Sequence, residues 1–535
     1  MIQNPVLPGF NADPSFLRVG EDYYLATSTF EWFPGVQIHH SRDLVNWTLV
    51  SRPLNRAALL DMRGNPDSCG IWAPCLSHDG EKFWLVYTDV KRLDGAFKDA
   101  PNYITSCGTI DGDWSDPYYV NSSGFDPSLF HDDDGKKWFT NMVWNHRGPG
   151  TGGNPKHASF DGIVLQQWSP EQGLFGPVKN IYDGTDRGLT EAPHLFKRNG
   201  YYYLTTAEGG TGYGHAVSMS RARDIWGPYE NHPEKHVICT DGTDSAIQRT
   251  GHGQYVETHW GAHFHSFLMG RPMPGPDGTG RFCPLGRETG LEEVVWRDDW
   301  LWLKEGGMVP RAFVPTPVDV APHAPAARRS TFADGVLPAD FQWLRTPEPD
   351  RIFRVEKGAL ALIGRESIGS WFEQALVARR QEHFEYSVET SLDFAPETYQ
   401  QAAGLTTYYN RHKFHAALVS NEPGIGRALV LMSCPGLWPD GELNWPAAPV
   451  ALSVGPVELK VEVTFAKQQF YYRQGGDWLA FGPVLDASVI SDEGGRGEHG
   501  SFTGALVGMV AMDTSGGAAE ARFGKFDYVP KGAEG

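Results

Sequence analysis

Apolar and polar positions along the first 308 residues fall into one short phrase that recurs. A small or acidic residue and Pro open it, an apolar residue and a Gly-containing turn follow, and an aromatic run closes it. Asp13-Pro14-Ser15-Phe16 leads to Tyr23-Tyr24-Leu25, and Ala73-Pro74-Cys75-Leu76 leads to Phe83-Trp84-Leu85. Asp126-Pro127-Ser128-Leu129 leads to Trp138-Phe139, and Ala192-Pro193-His194-Leu195 to Tyr201-Tyr202-Tyr203-Leu204. A weaker fifth copy runs from Gly253-Gln254-Tyr255-Val256 to Trp260. Short apolar runs on either side of Asp79-Gly80, Asp134-Gly135 or Asn199-Gly200 read as hairpins. Starts spaced roughly 50 to 65 residues apart fit a several-stranded unit repeated about an axis. Five such units predict a five-bladed β-propeller over residues 1–308, an all-β fold that protects its sheet edges by radial closure.

The pattern then changes twice. Residues 309–329 are dense in proline (Pro310, Pro315, Pro317, Pro322, Pro325) and predict a linker. Residues 330–535 lose the phrase and alternate as short strands, among them Leu360-Ala361-Leu362-Ile363, Tyr386-Ser387-Val388-Glu389 and Val457 to Phe465. Strands joined by turns with no helix between them predict a β-sandwich of concanavalin-like, jelly-roll type.

Composition narrows the chemistry. A net charge of −19 argues against nucleic acid or an anionic membrane as a partner. Met1-Ile2-Gln3-Asn4-Pro5 carries neither the basic nor the apolar segment of a secretory signal, and no apolar run reaches bilayer length. A cytoplasmic protein is expected. The six cysteines are scattered without CxxC pairs and read as reduced thiols. His252, His259, His263 and His265 cluster, but no carboxylate stands at ligand spacing. No metal or cofactor is therefore required, although a structural divalent cation such as calcium near His252 is left open. Asp132-Asp133-Asp134-Gly135 lacks the rest of a calcium loop and reads as a hairpin turn. The Gly-rich stretch from Arg147 to Pro155 is followed by no Gly-Lys-Ser/Thr, so it is no phosphate cradle.

The repeat itself points to the reactive groups. Equivalent positions of the blades lie equally far from the axis, and three of them are acidic: Asp13, Asp126 and, one residue before its Pro-containing copy, Glu191. Converging carboxylates repel and are costly to desolvate, so a chain that assembles three of them uses them. Two suffice for glycoside hydrolysis, one protonating the leaving oxygen and the other activating water or attacking. A third raises the proton donor's pKa. Phe30, Trp32, Phe33 and Trp72 suit the apolar faces of a sugar ring. Arg287 is either a solvated loop charge or a pocket residue holding a carboxylate and a sugar hydroxyl. A Ser-His-Asp hydrolase is disfavoured, because no Gly-x-Ser-x-Gly elbow joins a strand to a helix.

These residues make the chain resemble glycoside hydrolase family 43, specifically its β-xylosidases with a C-terminal β-sandwich. The phrases carrying the resemblance include Gly9-Phe10-Asn11-Ala12-Asp13-Pro14-Ser15, Gly70-Ile71-Trp72-Ala73-Pro74 and Gly124-Phe125-Asp126-Pro127-Ser128. Thr190-Glu191-Ala192-Pro193, Thr206-Ala207-Glu208-Gly209-Gly210 and Pro284-Leu285-Gly286-Arg287 continue them, and Gly500-Ser501-Phe502-Thr503-Gly504-Ala505 is the clearest piece of the sandwich. Cys75 stands where the family usually has Asp.

The resemblance implies a single-step inverting mechanism. Asp13 would be the general base, Glu191 the general acid, and Asp126 the residue that tunes and orients the acid. The two reacting carboxyls should then stand roughly 6.5–9.5 Å apart, leaving room for water. Phe30, Trp72, His252 and Arg287 would line the glycone pocket, with Phe502 closing it from the sandwich. The implied activity is exo-hydrolysis of xylose from the non-reducing end of β-1,4-xylo-oligosaccharides, with a side activity on α-L-arabinofuranosides. The alternatives are an enzyme acting mainly on arabinofuranosides and a propeller that only binds glycans. A homo-oligomer, dimer or tetramer, built partly through the sandwich is also implied.

Overall fold

The computed structural model describes residues 1–147, 159–436, 441–495 and 501–533. The Gly-rich loop falls outside them, apart from Arg147. No α-helix occurs among the described residues. Five antiparallel sheets follow one another in the first part of the chain, four with strands in simple sequential order and four strands each. Their first strands are Ala12–Val19, Gly70–His78, Ser128–His131, Glu191–Arg198 and Gln248–Gly251. The fifth sheet carries an additional strand, Tyr255–Glu257, paired with His263–Gly270. The arrangement is the five-bladed propeller the phrase predicts.

Serine in the phrase joins the first blade to the second and the third to the fourth. Ser15 Oγ accepts the Leu76 N–H of the second blade at 2.9 Å, and Ser128 Oγ donates to Pro193 O of the fourth at 2.6 Å. The ring is closed by the N-terminal segment. Ile2–Gln3 pairs with Phe313–Val314, and the Asn4 amide donates to Leu291 O and Arg311 O, each at 2.8 Å.

The fifth copy begins one residue earlier than its sequence suggests. His252, not Gly253, occupies the place held by Asp13, Ala73, Asp126 and Ala192. All five have left-handed backbones, with φ of 36°, 56°, 37°, 54° and 53° respectively. Trp260 lies in the turn before His263–Gly270 rather than on that strand.

The second part is a sandwich of two large sheets whose facing side chains, including Leu360, Val388, Leu405, Ala417, Val461 and Phe523, form one core. Val457–Thr464 alternates buried and partly exposed positions, as a strand with one wet face must. Gln401–Asn410 is buried at every position because its sheet is covered on both sides. Its outward-facing Tyr408 joins Phe414, Leu506, Phe10 and Trp32 in a core shared with the propeller.

The contact includes backbone pairing. Trp32–Phe33, from the first blade, adds an edge strand to the sandwich, pairing Trp32 with Leu344 and Phe33 with Trp343. These two aromatics, read from sequence as sugar platforms, are therefore interdomain residues with 0% and 1% exposure. Arg345, fully buried, locks the junction through Asp67 at 2.7 Å, Asn65 O at 2.7 Å and Gln374 at 2.8 Å.

Candidate active site

The left-handed residue at the start of each inner strand aims a side chain toward the axis. In the first, second and fourth blades the ladder skips there, between Ala12 and Ser15, Trp72 and Cys75, and Glu191 and His194. Such bulges redirect side chains out of the alternating pattern. Asp13 and Asp126 are themselves left-handed residues of this set, and Glu191 is the residue before Ala192. All three line one cavity of about 270 Å³. Phe30, Trp72, His252, Arg287 and Phe502 line it too.

Each carboxylate has a different environment. Asp13 is 5% exposed; its Oδ2 accepts the Ser28 hydroxyl at 2.7 Å and its Oδ1 accepts Arg287 Nη1 at 2.9 Å. Ser28 Oγ is itself held by the Ala73 N–H at 2.8 Å. Glu191 has no such cation at hydrogen-bond distance among the described residues. Burial, then the charge of Asp13, pushes its pKa up to about 8. Asp126 is pushed well above the carboxylate range by burial and by Glu191 and Asp13. Its Oδ2 accepts the Ala192 N–H at 3.2 Å, which fixes the peptide carrying Glu191.

The walls interlock around Arg287. This guanidinium also donates to Thr211 Oγ1 at 2.9 Å and, through Nη2, to Phe502 O at 3.0 Å. It lies over the rings of Phe30 and Phe502. Phe502 reaches in from the sandwich, 6.0 Å from the Phe30 ring and edge-on to Trp72 at 5.5 Å. One residue holds both partners: Ser68 Oγ accepts the Phe502 N–H and Ser68 O accepts the Trp72 indole N–H. His252 Nδ1 stands 3.7 Å from Asp13 Oδ1, and burial beside Arg287 lowers its pKa to about 3, leaving a neutral imidazole.

Several lining residues escape a reading of the sequence. Lys98, Trp144 and Phe160 come from segments outside the repeated phrase, with Lys98 Nζ 4.3 Å from the Trp144 ring centre. Phe125 precedes Asp126, and Thr211 follows Glu208-Gly209-Gly210, so both were within reach of the motifs. Glu208 itself lies behind the site, fully buried. It accepts the Thr185 N–H at 2.6 Å, the Thr185 hydroxyl, the Thr190 hydroxyl at 3.1 Å and His236 Nε2 at 3.2 Å. It thereby clamps the loop that ends at Glu191. Gly184 permits the closure: with φ of 84°, a Cβ there would come within 1.8 Å of Thr190 Oγ1.

The other histidines have separate tasks. His259 bonds the Tyr23 hydroxyl, His263 the Tyr255 hydroxyl, and His265 the Ser266 carbonyl. The His194 ring is 6.2 Å from that of His252. These are nitrogen donors, and no group of three or more His, Cys, Asp or Glu able to hold a metal occurs among the described residues. Asp132 closes a hairpin turn, accepting the Gly135 N–H at 3.0 Å. Cys75 packs with Trp84, Val86, Ile104, Leu129 and Phe139, an apolar surrounding that pushes its thiol up to about 11.

Comparison with known proteins agrees with this architecture. A concanavalin A-like domain described as the C-terminal domain of β-xylosidase matches residues 329–529. A Humicola insolens protein named xylosidase/arabinosidase 43B is 58% identical, covering 99% of this chain and 98% of its own. The β-xylosidase of Bacillus subtilis (strain 168) is 46% identical over 99% of this chain and 100% of its own. The crystal structure of a xylan β-1,4-xylosidase from Bacillus halodurans C-125 superposes with a TM-score of 0.93 at 45% identity, covering 99% of this chain and 100% of that one. Residues 2–301, the propeller with its three converging carboxylates, match the glycosyl hydrolases family 43, and with relatives this similar over their full length the chain belongs to that family of glycoside hydrolases.

Proposed function

We propose that the chain is an exo-acting, inverting β-xylosidase that releases xylose from the non-reducing end of short β-1,4-xylo-oligosaccharides. The observation that carries this is the pairing of two carboxyls with different surroundings within one small cavity. Asp13 is bonded to a guanidinium and a hydroxyl, whereas Glu191, with a pKa of about 8, holds its proton at neutral pH. In this reading Glu191 gives that proton to the glycosidic oxygen as the bond to C1 breaks. Asp13 takes a proton from water as its oxygen attacks C1 from the opposite face. Asp126 keeps the Glu191 peptide in place.

A cavity of about 270 Å³ falls below the range usual for drug-sized ligands, which supports binding of one terminal sugar unit. Phe30, Trp72 and Phe502 offer apolar surface to its faces, and His252 and Arg287 offer donors to its hydroxyls. The name of the Humicola relative supports a second activity on α-L-arabinofuranosides. Exposed Tyr399, Leu443 and Trp445 on the sandwich support a homo-oligomer assembled partly through that domain.

Xylobiose hydrolysis followed by proton NMR during the first minutes tests the assignment. Initial α-xylose is expected. Initial β-xylose would overturn the roles of Asp13 and Glu191. Arabinose from an arabinofuranoside with no xylose from xylobiose would transfer the main activity to the other sugar, and sugar binding without turnover would favour a glycan-binding protein.

A further inference from the structure

Arginines in the interior of this protein are paired with carboxylates. Arg249 meets Asp492 at 2.7 Å, Arg271 meets Glu288 at 2.7 Å, and Arg345 meets Asp67 at 2.7 Å. Arg379 meets Glu382 at 3.1 Å and Asp340 at 3.2 Å. Arg52 and Arg380 break the rule. Among the described residues neither has a carboxylate within 4.0 Å, and only neutral acceptors meet them: Ala339 O and Phe341 O for Arg52, Phe10 O and Gln342 for Arg380, and Gln37 for both. Gln37 Oε1 takes Arg52 Nε at 3.0 Å and Arg380 Nη1 at 2.9 Å. Arg380 is 5% exposed, yet its Nη2 has no hydrogen-bond partner, and neither does the buried Nδ1 of His39 nearby.

Two guanidiniums side by side, one buried and one partly buried, with no carboxylate in direct contact and only the charges of Asp340 and Glu382 farther off, are a costly arrangement. Its strain is visible in both groups. Burial, then the charge of Arg52, drives the Arg380 pKa well below the usual arginine range, and burial holds Arg52 at about 9. Nor is this a corner of a generally basic surface, because the chain carries a net charge of −19.

Both side chains line a cavity of about 810 Å³ between the first blade and the sandwich. Arg328 and Arg329, exposed at the end of the linker, add two more cations at its rim. The carboxylates on its wall, Asp340 and Glu382, are already engaged by Arg379. The cavity is separate from the catalytic pocket, although Arg380 Nε donates to Phe10 O on the segment leading to Asp13.

We propose that this interdomain cavity binds a phosphate-like oxyanion, with Arg52 and Arg380 as inner ligands and Arg328 and Arg329 guiding it in. Planar guanidinium forks suit tetrahedral oxyanions, and an anion here would supply the charge the pair lacks. The volume exceeds what inorganic phosphate alone fills, so the phosphoryl group of a small metabolite is accommodated as well as the free ion.

Equilibrium dialysis of the full chain against inorganic phosphate, with ribose 5-phosphate in parallel, provides the test. One bound phosphoryl group per chain is expected. Tighter binding of ribose 5-phosphate would identify an organic phosphate as the ligand class, and equal binding the free ion. A saturable rise in melting temperature should accompany phosphate but not chloride at matched ionic strength. Arg52→Gln should weaken phosphate binding by at least about tenfold and Arg329→Gln by a smaller factor, with xylobiose hydrolysis unchanged. The proposal is overturned if wild type takes up no phosphate at millimolar concentration. It is equally overturned if both variants bind like wild type, or if chloride raises the melting temperature as much.

Discussion

Glu191 and Asp13 line the same cavity and differ by what surrounds them, and the alkaline side of the pH profile should report Glu191. A general acid works only while protonated. Activity on xylobiose is expected to fall as pH rises through about 8, where Glu191 loses its proton. Glu191→Gln should abolish that alkaline limb and lower kcat/KM by roughly 10²–10⁴, with a smaller loss on an aryl xyloside whose leaving group needs no proton. Steady-state kinetics across pH on both substrates will check this. Glu208→Ala should release the loop clamped at Thr185 and Thr190, lowering kcat about tenfold while KM changes little. Glu208→Gln, which retains an acceptor, should restore part of it. The carboxylates on the axis were legible because the phrase repeats around them. The work of Glu208 was not, although the residue stood in a recognised motif, because its partners lie in another loop more than fifteen residues away.

Strands and turns were readable where local chemistry decides them, and obscure where a neighbour does. Four copies of the phrase announce their blades. The fifth is disguised because His252-Gly253 replaces the acidic or small residue and Pro, and only the backbone conformation shows the register. Trp32 and Phe33 carry the sequence signature of an aromatic platform, yet pair with Leu344 and Trp343 more than three hundred residues away. No local pattern encodes which edge receives them. The same holds for Gly286, whose φ of 69° places a notional Cβ 2.0 Å from Thr503 O. Gly286→Ala should therefore push back the segment carrying Phe502. We expect KM for xylobiose to rise about tenfold with the far-UV circular dichroism unchanged, the backbone strain amounting to about 1–3 kcal/mol.

The two halves of the molecule should behave as one thermodynamic body. They share a hydrophobic core, a β-sheet and the buried Arg345–Asp67 pair. Removing one partner strands a buried charge, so Asp67→Ala should cost about 3–5 kcal/mol. Calorimetry should then show one transition, moved to lower temperature, rather than two; separate melting of propeller and sandwich would contradict the shared core. The sandwich was legible as strands, but its attachment to the propeller was not, since a strand buried on both faces looks alike whatever covers it. Gln401–Asn410 is the example.

Phe502 has a consequence for the life of the chain before folding is complete. About two hundred residues separate the last strand of the fifth blade from this wall of the pocket. At ordinary rates of synthesis they take roughly 10–40 s to appear. Throughout that interval a finished propeller can emerge from the ribosome with its three carboxylates assembled and its sugar site open on one side. The pocket thus gains its last aromatic wall only from the domain made last.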